Sequence, residues 1–481
     1  MVATAVTTAS LAPSHTVRTH PAPSIEADDI QGLVVRGYGT LPYASYHVLG
    51  VRDPAAARRW LAWLARRVAR GEPASRSEAV QVAFTYEGLR LLGLPESALA
   101  GFSREFISGM TEPQRSRFLG DEADSAPVLW KWGGPANGEV HAVLMLFALS
   151  GDSLRRQQAA HERHWADGGC AELTRIATGE LTRTEHFGFA DGISQPAIDG
   201  YHASDSELHC IKPGEFVLGY ENEYEQYTGR PLVGAADDPH QLLPFDLEGT
   251  GQRDFGRNGT YAVFRQLRQD VPLFHAVLQE LSRKPDGSPD PDAKDWLAAK
   301  MVGRWPSGAS LVDAPQHDAP HQAGANEFRY HADDPDGLKC PIGSHVRRTN
   351  PRDSLAPGPG SNRSLAVNKR HRLLRRGRAY GTRLEDGGTE ADDRGIMFIA
   401  LNANIQRQFE FIQHTWINSP SFAGLYNDRD PIVGPGQNSD FTIARDPVRR
   451  KCSALPRFVE VQGGAYLFMP GIRALQYLAS R

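Results

Sequence analysis

The sequence predicts an α+β protein built from two similar halves, each an antiparallel sheet with helices packed on one face. Three observations lead there. Glu139–Ser150 (EVHAVLMLFALS) reads as a buried strand and runs straight into a helical pattern over Asp152–Trp165. Asn258–Gln269 (NGTYAVFRQLRQ) alternates apolar and polar residues as a half-buried strand does, and Val271–Leu281 after it is helical. A strand over Gly395–Leu401 again precedes a helix, over Ile405–Trp416, so the strand-then-helix order recurs on both sides of a glycine-rich centre.

In chain order, Met1–Pro23 has no Lys or Arg before Arg18 and no sustained apolar run, so residues 1–28 are expected to form a disordered arm and not a secretion signal. IQGLVVRGYG from Ile30 and then Ala44–Val51 read as strands opening a first domain, residues 29–200. Pro54–Arg70 is an amphipathic helix with Trp60, Leu61, Trp63 and Leu64 on its core face and the arginines mostly in water. Ala79–Tyr86 is β-like, and Thr85 with Glu87 starts a short helix ending at Gly93. In a second domain, 201–481, Glu215–Tyr220 is a short extended run, and Arg283–Asp336 is a long polar interval. Ser354–Asn368 is a mobile surface loop, and Arg457–Val461 with Gly464–Met469 is a closing hairpin turning near Gly463 and Gly464.

Composition removes several functions. The net charge is -4 without a basic block, so neither nucleic acid nor an anionic membrane surface is a natural partner. No run of apolar residues is long enough to span a bilayer. P-loop, G-x-S-x-G and helix-opening G-x-G-x-x-G motifs are absent, against NTPases, hydrolases of that type and dinucleotide enzymes. His161 and His164 are too close together for a metalloprotease helix and read as exposed surface. Cys170, Cys210, Cys340 and Cys452 form neither a C-x-x-C pair nor a covalent haem motif, which suits a reducing, cytoplasmic location.

Two stretches carry chemistry. In Glu185–Gln195 (EHFGFADGISQ), Asp191 lies between Gly188 and Gly192, and glycines that tolerate positive φ let a carboxylate be presented at a cavity wall. Taken alone, D-G is a common turn. In Lys339–Asp353 (KCPIGSHVRRTNPRD), His345 follows a Pro and Gly break, and a lone histidine is more often a satisfied packing residue than a ligand. Together with LLRRGRAYG at Leu373–Gly381 and NIQRQFEFIQ at Asn404–Gln413, however, these segments resemble the dye-decolourising peroxidase family, in its order and over nearly the whole chain from Asp29 to Tyr477.

The resemblance implies two ferredoxin-like halves, dimeric α+β barrel-like, with one non-covalent haem b between a sheet and helices of the second half, as in the larger bacterial members. It implies a peroxidase in which hydrogen peroxide oxidises the haem and bulky aromatic or phenolic donors, dyes included, return it to rest by one-electron steps through a ferryl intermediate. His345 would be the iron ligand, its second nitrogen held by a partner on the Asn404–Gln413 helix, with Asn404 and Glu410 the candidates. Asp191 would be the acid–base group, its pKa raised by burial, and Arg375 the charge stabiliser. Arg347 is the choice for a haem propionate, with solvation the default for Arg348 and Arg352 and either role open to Arg376. Phe189, Gly192, Phe398 and Phe411 would border the macrocycle, along with Phe187 and Ile193, although core packing accounts equally well for the aromatic side chains. Tyr380, Trp305 and Trp416 are candidate relays to bulky donors at the surface. The partners are then hydrogen peroxide and small aromatic reductants, with no nucleic acid and no membrane, and a homo-oligomer is compatible with the sequence. Two alternatives stand beside this: a haem-handling protein without significant turnover, and a hydrolase pairing Asp191 with Asp199 or Glu185.

Overall fold

The computed structural model describes residues 25–72, 76–165, 169–178, 180–204, 206–436 and 438–481. The arm expected over residues 1–28 lies almost wholly outside them.

The first half runs β1 (Tyr43–Val51), α1 (Pro54–Ala65), β2 (Glu78–Phe84), β3 (Ala142–Ala148), α2 (Gly151–Trp165) and β4 (Cys170–Thr178). These strands lie in the order β4-β1-β3-β2, all pairs antiparallel, which is the ferredoxin-like arrangement. The helix α1 starts where Asp53 accepts hydrogen bonds from Ala55 and Ala56 N–H and Pro54 takes the first turn, where no donor is needed. Its Trp60, Leu61 and Leu64 are buried, as the sequence pattern predicts.

The second half repeats the plan with β5 (Thr260–Gln269), α3 (Val271–Leu281), the short β6 (Leu374–Arg375) and β7 (Arg378–Tyr380), and β8 (Gly395–Asn402). A helix wound with wide π turns over Gln406–Glu410 and Ile412–Ile417 follows. A hairpin of β9 (Ser439–Ile443) and β10 (Arg450–Leu455) comes before the last strand, β11 (Val459–Met469). Here the order is β6-β8-β5-β11, and the pair Phe468↔Phe84 joins β11 to β2, so the two halves share one nine-stranded sheet.

That sheet curves until its halves face each other. Alternate residues of β3 show it: Leu144 and Leu146 pack under α1 with Trp60 and Leu64, whereas Val143, Met145 and Phe147 meet Phe264, Met397, Ile399 and Leu467 of the second half. Tyr46 and Phe264 touch edge to face across this inner core, with ring centroids 5.5 Å apart. Burying each of these large side chains contributes about 1.5–3 kcal/mol, enough to fix the two halves of the sheet against each other. The opposite face of the second sheet is left for a site.

Several expected elements differ. Residues 457–469 are not a hairpin: β11 is one strand with a bulge between Val461 and Gly463. Gly463 is required because the Trp132 indole occupies the space of a side chain there, so the glycines mark a close approach and not a turn. Gly32–Val35 is a helical turn, and Glu215–Tyr220 contains no strand, its start being the end of a 3-10 turn. The polar interval over 283–336 is structured. It contains α4 (Pro291–Val302), capped by Asp290, and a small core of Trp305, Leu311, Phe328 and Tyr330. Part of the Ser354–Asn368 loop is a helix, Asn362–Lys369. His161 is buried beside Trp60, not exposed.

Candidate active site

The second sheet's outer face forms one wall of a deep cavity. Register decides which side chains reach it. Arg265 pairs with Phe398 and Leu267 with Ile396 across β5 and β8, Val459 pairs with Gln269 and Val461 with Leu267 across β11, and Arg375 pairs with Ala400 across β6. Because side chains alternate along a strand, Arg265, Leu267, Gln269, Ile396, Phe398, Val459, Val461 and Arg375 share one face, and all line the cavity. The opposite wall comes from α5 (His345–Thr349), the π-wound helix and Ile432–Pro435. Water molecules could centre themselves in about 310 Å³ of this space.

His345 opens α5 and faces the cavity. Its Nδ1 lies 2.9 Å from Asp430 Oδ2, and Asp430 Oδ1 accepts the N–H groups of Ile432 (2.9 Å) and Val433 (3.0 Å). With Nδ1 donating to a carboxylate, the lone pair of the neutral ring is on Nε2, which has no protein partner among the described residues. Burial pushes the His345 pKa down, but the charge and hydrogen bond of Asp430 outweigh it and raise the net value. Burial likewise raises Asp430, and the opposing pull of His345, the Val433 N–H and Arg348 leaves it below the usual carboxylate range.

Asp430 replaces the expected partners. Asn404 accepts the Arg407 N–H, and Glu410 is held by Arg115 and by the Tyr466 hydroxyl at 2.7 Å, so neither reaches His345. Arg348 links the pieces: fully buried, it donates to the carbonyls of Gly343, Trp416, Ser419 and Asp428, tying α5 to the segment carrying Asp430.

Asp191 lies on the loop that packs against the sheet wall. Gly188 and Gly192 have φ of 96° and 82°, and a side chain on either would meet open space, so conformation and not crowding selects glycine. Asp191 Oδ1 accepts the Gly192 N–H at 2.6 Å and Arg375 Nη1–H at 3.1 Å. Its side chain is 53% accessible, yet protein surrounds it on nearly every side, so that exposure is to the cavity and not to bulk water. Burial alone raises its pKa, as the sequence reading expected. The Arg375 guanidinium, the Gly192 N–H and the charge of His345 more than offset that, and the net shift is downward.

Phe189, Gly192, Phe398, Phe187 and Ile193 line the cavity with Asp191, His345 and Arg375; Arg347 and Phe411 do not. Arg347 is turned away, buried against Asp334 at 3.0 Å and over the Tyr330 ring, because an arginine two positions after His345 on so short a helix points to another side. Phe411 lies one layer behind, stacked on His371, which does line the wall. Arg348 and Arg352 are buried and not solvated. Arg376 is spent on the carbonyls of Leu33 and Val34. Tyr380, Trp305 and Trp416 are 4–5% exposed, so none is at the surface.

Arg304 and Arg372 stand in no motif that the sequence marks. Both line the cavity, are buried and have no carboxylate partner among the described residues. Arg304 donates to Gly308 O, Ala325 O and Asn326 Oδ1, and Arg372 to Leu208 O and Ser194 O. Burial, with the neighbouring charges of Arg352 and Arg375, depresses the Arg372 pKa to about 9. Buried cations without anions mark a place for a negatively charged group. An apolar slot bearing a free imidazole nitrogen and such cations fits an amphipathic, carboxylate-bearing haem. No cysteine lines it, and no cluster of metal-ligating side chains occurs among the described residues.

Known proteins are similar to this chain over most of its length. The dye-decolorizing peroxidase of Exidia glandulosa is 30% identical over 484 residues, covering 94% of this chain and 87% of its own. The multifunctional dye peroxidase DyP2 of an Amycolatopsis species is 28% identical over 460 residues, covering 89% and 91%. The crystal structure of a fungal DyP-type peroxidase from Auricularia auricula-judae superposes with a TM-score of 0.77 at 26% identity, over 96% of this chain and 100% of that one. No family model matches the chain.

Proposed function

The chain belongs to the dye-decolorizing peroxidase family and is a haem peroxidase, and from that premise we propose that His345 is its iron ligand, Asp191 its acid–base group and Arg375 its charge stabiliser. One observation carries the reading. The His345 ring, oriented by Asp430, and the Asp191–Arg375 pair line the same cavity, brought there by separate parts of the chain.

When bound, haem supplies the redox-active iron that reduces peroxide and recovers electrons from donors one at a time. Asp430 keeps the His345 ring in one tautomer and makes Nε2 the more electron-donating. Asp191, ionised because Arg375 holds its pKa down, takes a proton from incoming hydrogen peroxide and returns it to the departing oxygen. The Arg375 guanidinium offsets the negative charge that develops on that oxygen. Arg304 and Arg372 take the propionate role first given to Arg347. The absence of cysteines from the cavity wall supports haem b held without covalent bonds, one per chain. Aromatic and phenolic donors, dyes among them, are the proposed reductants. A haem carrier would have no use for the Asp191–Arg375 pair. Four unpaired cysteines support a cytoplasmic location, which cell fractionation checks.

The test is peroxide-dependent oxidation of an aromatic donor by Asp191→Asn. Losing a positioned acid–base group is expected to slow the peroxide step by about 10²–10⁴-fold. A variant as fast as the wild type removes Asp191 from this role.

A further inference from the structure

We propose that Glu185 is a positioning residue for the peroxide reaction: its carboxylate holds the loop that presents Asp191 at the cavity wall. The proposal rests on the assignment of Asp191 above.

The loop between Glu185 and Gly192 has two glycines at positive φ; Phe187 and Phe189 pack into the core and His186 Nε2 pairs with Tyr380 O, but the backbone between these anchors still needs something to define its shape. Glu185 does so with both oxygens. Its Oε1 accepts the Phe189 N–H at 2.9 Å, and its Oε2 accepts the Phe187 N–H at 2.9 Å and the Gln269 amide at 2.6 Å. The Glu185 N–H donates to Phe189 O and the Gly188 N–H to Glu185 O, each at 2.9 Å, which closes the loop on itself. Gln269 is the last residue of β5, so the clamp is fastened to the sheet that also positions Arg375. Beyond it, the Ala190 N–H donates to Pro306 O at 3.0 Å, directly before Asp191.

Glu185 also lines the cavity, so a direct proton-transfer role has to be weighed against this one. Both of its oxygens face N–H donors, which leaves no acceptor to receive a proton from it. Burial raises its pKa, and the three donors oppose that rise without cancelling it, so the net shift is upward. The hydrogen-bond geometry still uses Glu185 as an acceptor, with every donor aimed at one of its two oxygens. Its effect on the reaction then runs through the position of Asp191. A misplacement of about 1 Å at a reacting group is enough to cost about 10²-fold in rate.

Glu185→Gln is the discriminating change, because either orientation of the amide puts an NH2 group against at least one N–H donor while volume is kept. The peroxide rate constant is measured in holoenzyme for wild type, E185Q, D191N and the double variant, with crystal structures of wild type and E185Q. E185Q is expected to lose about 10–100-fold, D191N more, and the double variant to match D191N, since two residues acting through one carboxylate are not additive. The E185Q structure is expected to show the Asp191 carboxylate away from its 3.1 Å contact with Arg375. Additive losses, or an E185Q rate and Asp191 position equal to wild type, overturn the proposal. An unimpaired D191N instead overturns the assignment of Asp191. Should E185Q not assemble with haem, Gln269→Leu cuts the tether to the sheet and leaves the two loop N–H bonds to Glu185 in place. A loss of about threefold or more that vanishes in the D191N background then supports the clamp, and no loss overturns it.

Discussion

Replacing Arg375 with leucine is expected to move the acid limb of the peroxide reaction to higher pH. In the folded protein burial raises the Asp191 pKa, and the guanidinium 3.1 Å away is the largest opposing influence, leaving the net value depressed. A cation at that range favours the charged form of the aspartate, and taking it away leaves the burial that raises the pKa less opposed. The base must be ionised to accept a proton. With Arg375 in place the rate is therefore held until pH falls through a low pKa; without it, burial is less opposed, the pKa rises, and the rate fails earlier as pH falls. The plateau drops as well, by about 10²-fold, because the departing oxygen loses its cation. Height and position of the limb separate the two effects. Stopped-flow rate constants against pH for wild type and Arg375→Leu supply both. A limb that stays in place, or moves to lower pH, refutes the argument that Arg375 sets the ionisation of Asp191.

Three further outcomes follow from the same contacts. Asp430→Asn, which weakens the acceptor on His345 Nδ1, is expected to lower haem affinity by about 10–100-fold in a titration of the apoprotein; unchanged affinity would remove Asp430 from the ligand's support. Arg347→Ala leaves Asp334 buried without its cation and is expected to cost about 3–5 kcal/mol in urea unfolding while haem uptake by the folded protein is kept; the reverse pattern would restore Arg347 to the propionate. Arg372→Met removes a cavity cation and is expected to weaken haem binding about 10-fold in the same titration, with equal affinity arguing that the propionates lie elsewhere.

Local signals in the sequence carried much of the fold. Strands such as β3 and β5 and helices such as α1 and α2 announce themselves through period and capping, and the structure keeps them to within a few residues. What stayed hidden depends on distant neighbours. The glycines in β11 look like a turn until Trp132 is seen filling the space beside them. The site shows the same division. Asp191, His345 and Arg375 stand in motifs, and the structure brings them around one cavity. Asp430 has no local mark: it lies 85 residues from His345 in a loop, and its role appears only when Arg348 draws that loop against α5. Arg347 is the converse, a residue whose nearness in sequence suggested a role that the turn of a short helix denies it. Arg304 was concealed in a polar interval whose composition does not separate surface from site, although that interval builds its own core and closes part of the cavity.

The most direct test of the central claim is the visible spectrum of the purified protein, with and without hydrogen peroxide, for wild type and His345→Ala. The account predicts a Soret band in the wild type that shifts on adding peroxide, and a band weakened or lost in the variant. A wild type that stays free of haem after reconstitution, or a variant whose Soret band and peroxide response equal those of the wild type, would contradict it.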